Sequence, residues 1–323
     1  MNFDFNEEQT MIMDGIARYI REEYDFDRRR SIIESDSACS DDVWRQFSEL
    51  GWLSIPFDES YGGFGGHADD LAGVMLELGK GLIIEPYMST VVVFGSLLNA
   101  SNNDSLKEEL IPRIINGQYK GSFAYAEEQS RFEISDVKTS AQKCGDGYKL
   151  NGTKIAVIDA KESDGLIVTA RTGGSQYGAE GISLFLIDTS AEGVAVSSYN
   201  TMDSHSSSTI NLENVFVTEA NLIVDEGEGF RHIESCLPQI LLCLSAEALG
   251  IMEVLNRLTV EYSKTRKQFG APIGSFQALQ HRMVDNFMAF EQSKSMVYRG
   301  ICESTSFNKN CLLYTSDAAD EDC

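Results

Sequence analysis

The sequence predicts an α+β protein in which an N-terminal helical domain, a middle β domain and a C-terminal helical bundle follow one another. Apolar residues recur at helical spacing from Asn6 to about Gly121, and between about Ser122 and Gly229 the texture changes to short β-prone runs separated by Gly, Asn, Asp and Ser. From Phe230 onward helical periodicity returns. The expected domains are therefore 1–121, 122–229 and 230–310, with 311–323 set apart. A chain of 323 residues, 42% hydrophobic and 10% aromatic, is long and apolar enough to bury cores in all three.

The first domain opens with Met11, Ile12, Ile16, Tyr19 and Ile20 at positions that share one helix face. Asp41 and Asp42, ahead of Val43-Trp44-Arg45-Gln46-Phe47, give an N-cap signal, and 58–66 reads as a turn-rich loop. In the middle domain, Tyr148-Lys149-Leu150, 166–170 and 182–187 read as strands, and Asn151-Gly152 as a hairpin-turn dipeptide. The apolar runs 237–260 and 276–296 are too long for strands, so buried helices are expected, separated by Gly270-Ala271-Pro272. The final stretch from Cys311 does not continue the pattern. It matches what one reading frame of a transposon-end sequencing adapter encodes, so 311–323 is expected to be an artefactual tail and the bundle to be cut short.

Composition narrows the function classes. The opening residues have neither the uninterrupted apolar stretch of a signal peptide nor the length of a spanning segment, which points to a cytoplasmic protein without a membrane partner. A formal charge of −24 repels nucleic-acid phosphates and anionic headgroups, so nucleic acid is not an expected partner. Seven scattered cysteines without a CxxC pair argue against a disulfide framework, and four histidines outside any ligand spacing argue against a metal site.

Specific motifs then appear in order. Leu50-Gly51-Trp52, Ile55-Pro56 and Tyr61-Gly62-Gly63-Phe64-Gly65-Gly66 are followed by Ser122-Phe123-Ala124-Tyr125-Ala126-Glu127-Glu128 and Leu150-Asn151-Gly152-Thr153-Lys154. Last come Glu261-Tyr262-Ser263-Lys264-Thr265-Arg266-Lys267-Gln268-Phe269-Gly270-Ala271-Pro272-Ile273 and Phe276-Gln277-Ala278-Leu279-Gln280-His281. In order and spacing this set resembles the acyl-CoA dehydrogenase family over nearly the whole chain to about Asn310. The resemblance implies that family's fold and an FAD-dependent α,β-dehydrogenation of an acyl-CoA thioester to a 2-enoyl-CoA. It further implies electron-transferring flavoprotein or a similar acceptor, a homo- or hetero-oligomer, and a place in fatty acid or sterol catabolism.

The resemblance also assigns cofactor positions. Arg266 matches the residue that reaches the FAD pyrophosphate of a neighbouring subunit, a role that suits a fork-shaped guanidinium, while Gln268, Phe269 and Gln277 match nearby contacts. The alternative for this segment is a helix-end arginine bonding exposed carbonyls with Phe269 in the core. Phe123, Tyr125 and Ala126 align with the strand against the flavin ring, and Ala156 and Ile158 with its second wall. Here the chain departs from the family: Thr is usual at Ala126, Trp at Ala156, and Thr or Ser at Ile158, so a stacking surface and two hydroxyls are missing. Phe132 stands where a Ser of the family often contacts the flavin phosphate or CoA.

The catalytic base is not assigned. Some members carry a Glu on the helix before the RxQFG motif, followed by Arg, but the matching residues here are Ile240 and Leu241. Most members carry the carboxylate in a later segment. Glu247, within Ala246-Glu247-Ala248-Leu249-Gly250, is open to two readings, a base of raised pKa or a structural carboxylate. The helix around Glu247 and the altered wall resemble the small-subunit type of heteromeric enzymes, similar to pimeloyl-CoA dehydrogenase small subunits or to sterol side-chain enzymes. A non-catalytic scaffold or partner subunit is the alternative.

Overall fold

The computed structural model describes residues 5–35 and 39–305, so the expectation for 311–323 lies outside the described residues. Helices α1 (Glu7–Glu23), α2 (Phe26–Ile33), α3 (Asp41–Glu49) and α4 (Ala68–Gly81) come first. A π-helical stretch at Met88–Phe94 runs into α5 (Gly95–Asn99), and α6 (Asp104–Ile115) follows. The strands are β1 (Gly121–Ala124), β2 (Ser140–Cys144), β3 (Gly147–Ile158), β4 (Gly165–Arg171), β5 (Ile182–Asp188), β6 (Val194–Asn200) and β7 (Ser206–Thr218). Helix α7 (Gly229–Thr265), the short strands β8 (Lys267–Gln268) and β9 (Ala271–Pro272), and α8 (Gln277–Thr305) close the described chain.

The described residues fall into two compact units, the first drawn from 5–29, 67–83 and 241–305, the second from 30–35, 39–66 and 84–240. In the first unit α1 starts from a capping box, with Asn6 and Gln9 each accepting the other's backbone N–H. The Gln9 amide then donates to Asp69 at 2.8 Å and Asp70 at 2.9 Å, tying the head of α1 to the head of α4. Helix α4 meets α7 backbone to backbone. A Cβ on Gly79 would lie 2.2 Å from the Glu247 carbonyl oxygen, and one on Gly250 would lie 2.0 Å from that of Leu76, so only glycine permits this approach. Lys80 bridges the same pair of helices through Glu77 at 2.8 Å and Glu253 at 3.3 Å.

The two long apolar runs do form helices, but the expectation that they are buried needs correction. Leu255 and Leu258 on α7, and Val284, Phe287 and Met288 on α8, stand exposed. Each helix therefore leaves part of its apolar surface uncovered. By length and apolar content alone α7 is also sufficient to cross a membrane.

In the second unit the cap of α3 lies one residue earlier than expected. Ser40 accepts the Val43 N–H, and Asp41 and Asp42 occupy the first turn, where their charge complements the helix N-terminus. The helix packs Trp44 and Phe47 into a buried cluster with Trp52, whose carbonyl accepts the Tyr87 hydroxyl at 2.9 Å.

The seven-stranded sheet runs in the order β1-β4-β2-β3-β7-β6, with β5 also paired to β4. β5 lies antiparallel along all of β4, while β1 pairs in parallel with its first four residues and β2 reaches only its last, at Ser140 and Arg171. Chain 125–139 therefore leaves the sheet where β1 hands over to β2. The hairpin joining β2 and β3 turns at Gly145-Asp146, since Cys144 pairs with Gly147. Asn151-Gly152 is thus not a turn but an irregularity inside β3, between Leu150 and Gly152. A Cβ on Gly152 would lie 2.4 Å from the Thr139 hydroxyl oxygen, so close approach of another segment is what selects glycine there.

Candidate functional site

Two groups of expected site residues can be built up, one in each unit. In the second unit, β1 carries Phe123, and the chain emerges at Tyr125 and Ala126. The Phe123 and Tyr125 rings stack with centroids 5.3 Å apart and planes 24° apart. The Ala126 carbonyl accepts the Ile155 N–H at 2.9 Å, which brings β3 alongside. There β3 slips register between Lys154 and Val157, with Ala156 held at φ +52° and exposed. Ile158 is 57% exposed beyond it. The structure thus gathers Phe123, Tyr125, Ala126, Ala156 and Ile158 around one bulge, with an apolar surface open to solvent. Phe132 lies in the loop leaving this point and is 98% exposed.

Beneath the bulge is a feature that the sequence motifs contained but did not explain. Lys154 is fully buried, and its ammonium donates to Glu127 at 2.7 Å, to the Thr169 hydroxyl at 2.7 Å and to the Tyr125 carbonyl at 3.3 Å. Glu127 in turn accepts the backbone N–H groups of Lys138 at 2.9 Å and Thr139 at 3.0 Å, and the Gln129 amide at 2.9 Å. Burial pushes the Glu127 carboxyl up, but Lys154 and these donors outweigh it and hold the group at about 2. Burial pushes the Lys154 ammonium down to about 8 against the pull of Glu127. The carboxyl stays well below neutral pH and the ammonium, though lowered, above it, so the pair is ionised there. Period-2 alternation along β3 gave no reason to turn a lysine inward, and the only signal was a Lys in one motif matched by a Glu in another.

In the first unit, Arg266 follows the end of α7 and its N–H donates to the Tyr262 carbonyl at 2.8 Å. Strands β8 and β9 are joined by Phe269 at φ +53° and Gly270 at φ +79°, a pairing of left-handed residues that suits a two-residue hairpin. Phe269 is 95% exposed and meets Phe276 edge-on at 6.3 Å. Gln268 and Gln277 are exposed as well. Among the described residues the Arg266 guanidinium makes no ion pair or hydrogen bond. The alternative of an arginine bonding helix-end carbonyls above a core Phe269 is therefore not the arrangement found.

Glu247 is half-buried on α7, beside the close contact with Gly79. Burial, and then Glu247, push the nearby Cys243 thiol up to about 12. Ile240 is half-buried and Leu241 exposed, so neither position supplies a proton acceptor.

The donor set has a recognisable chemistry. An open apolar surface at a strand bulge suits a flat ring system, and an unpaired guanidinium beside exposed amides and an aromatic suits a pyrophosphate. Comparison with known proteins gives the family. Residues 6–118 match the acyl-CoA dehydrogenase N-terminal domain, 122–215 the middle domain and 227–304 the C-terminal domain. The chain belongs to the acyl-CoA dehydrogenase family. It is 31% identical over 304 residues to the probable acyl-CoA dehydrogenase YngJ of Bacillus subtilis, covering 93% of this chain and 80% of that one. Among solved structures, the FAD complex of PigA is similar with a TM-score of 0.87 and 26% identity, over 95% of this chain and 81% of that one. A chain in the structure described as electron transferring flavoprotein of Acidaminococcus fermentans is similar with a TM-score of 0.84 and 29% identity, over 95% and 81%.

Proposed function

We propose that this chain is an FAD-binding subunit of an acyl-CoA dehydrogenase that converts an acyl-CoA thioester to the 2-enoyl-CoA. The observation that carries the reading is the free Arg266 guanidinium beside the exposed Phe269, within a chain whose three domains all match the family. The cofactor's part is to accept the hydride leaving Cβ, while the Cα proton passes to a carboxylate. This chain's own residues bind and orient. Tyr125, Ala126, Ala156 and Ile158 form the apolar wall, and Arg266, Gln268, Phe269 and Gln277 form the phosphate-facing group, reaching the cofactor of a neighbouring subunit.

The domains we assign are 1–121, 122–229 and 230–310. Within the family, the small-subunit type of a heteromeric enzyme fits best, because Ala156 lacks the ring and Ala126 and Ile158 the hydroxyls that usually hold a flavin, and Ile240 and Leu241 offer no base. In such an assembly a partner subunit supplies the carboxylate. Electron-transferring flavoprotein is the proposed acceptor and the cytoplasm the proposed location. The test is expression of this protein alone and with a paralogous subunit, followed by flavin quantitation. Substoichiometric FAD alone and full loading with the partner is the expected result. Full loading and dehydrogenation by this chain alone would overturn the heteromeric reading, and flavin in neither preparation would overturn the cofactor reading.

A further inference from the structure

The buried ion pair under the bulge has no place in the binding roles above, and its geometry gives it one. Glu127 directly follows Ala126, and Lys154 directly precedes the irregular residues of β3. Lys154 lies under the gap where β1 has ended and β2 has not begun, and it takes Thr169 of β4 as its third anchor. Glu127 closes the other side by accepting the N–H groups of Lys138 and Thr139, the last residues before β2. We infer that Glu127 and Lys154 are positioning residues for the cofactor wall, fixing Ala126 against Ile155 and holding the bulge that presents Ala156 and Ile158.

The pair makes the wall rigid. A bulge leaves its extra residue unpaired with the neighbouring strand, so the strand ladder alone does not set how Ala156 projects. Three donors from one ammonium and four bonds into one carboxylate, in a buried setting, define a single arrangement of the surrounding segments. The pair also cancels its own charge, so the wall above it adds no net field while being held to β3, β4 and the 125–139 segment. A surface that has lost its usual ring and hydroxyls depends all the more on shape, which is what the pair fixes. The inference rests on the reading that this chain binds FAD at that wall.

The test uses the full-length protein in the form that binds FAD, and the double variant Glu127→Gln/Lys154→Met, which removes both charges and so leaves neither buried alone. The readouts are apo thermal unfolding, FAD affinity by fluorescence titration, and the fine structure of the bound flavin's visible band. The expected result is an apo midpoint close to wild type, FAD affinity weaker by about tenfold or more, and a smoothed band as the ring loses a fixed surface. A folded double variant with wild-type affinity and band shape would overturn the positioning role while leaving the cofactor reading intact. Wild-type protein that binds no FAD would overturn both. Should the double variant fail to fold, Thr169→Val removes one anchor of Lys154 alone. A few-fold loss of FAD affinity with a broadened band is expected there, and an unchanged titration and spectrum would again overturn the role.

Discussion

Arg266 and Glu127 show how differently two charged residues can be used. Arg266 stands free at a helix end, so its removal should leave the apo protein nearly as stable as before. A charge-assisted contact to a pyrophosphate is worth about 1.5–3 kcal/mol, so Arg266→Ala should weaken FAD binding roughly ten- to a hundredfold. Arg266→Lys should recover part of this, because an ammonium keeps the charge without the fork. FAD titration of the three proteins checks it, and equal affinities would remove Arg266 from the site. Glu127 is the opposite case. Breaking a buried pair on one side leaves an uncompensated charge, so Glu127→Gln alone should cost the apo protein about 3–5 kcal/mol in denaturant unfolding. Its folded carboxyl lies at about 2, below the ordinary 4.5. The unfolded chain therefore binds the proton first on acidification, and the stability from this group is complete above pH 4.5 and lost as pH falls toward 2. Unfolding followed from pH 6 downward should show that loss, and the Glu127→Gln/Lys154→Met protein should show less of it.

At the scale of elements, the contact between α4 and α7 makes a sharper demand than any sequence pattern. Gly79→Ala and Gly250→Ala each force a methyl group against a carbonyl, at 2.2 Å and 2.0 Å, and should destabilise by about 1–3 kcal/mol or more. Gly15 in α1 has nothing within 4 Å of an added Cβ, so Gly15→Ala should instead stabilise by up to about 1 kcal/mol. Thermal unfolding of the three variants separates the signs. Reading elements from sequence succeeded where one period dominates, as in the long apolar runs that became α7 and α8 and the β-prone runs that became β3, β4 and β5. It failed where a distant segment decides. Asn151-Gly152 carries turn chemistry, yet Thr139 packs against it and keeps it in a strand. Ser40 caps α3 in place of the two aspartates because a hydroxyl one residue earlier reaches Val43. The motifs contained Glu127 and Lys154, but nothing local brings them together, since they lie 27 residues apart and meet only through sheet order.

For the whole molecule, charge and function meet. A net charge of −24 makes the folded state repel itself, and screening relieves that repulsion. The unfolding midpoint should accordingly rise with added sodium chloride, and a midpoint that falls would mean that local ion pairs such as Lys80 with Glu77 and Glu253 matter more than the overall charge. The same charge disfavours an anionic CoA ester, which leaves local groups to attract it. Leu255, Leu258, Val284, Phe287 and Met288 stay exposed in the single chain, as the proposed oligomeric assembly requires of a covered face. Service of this chain in the FAD-dependent dehydrogenation of an acyl-CoA is read out by anaerobic titration of the flavin-loaded protein, together with its proposed partner subunit, against saturated acyl-CoA esters of increasing chain length. Bleaching of the visible flavin band by one class of ester, with a stoichiometric yield of the 2-enoyl-CoA, is the predicted result. A flavin-loaded preparation that no acyl-CoA reduces would contradict the account.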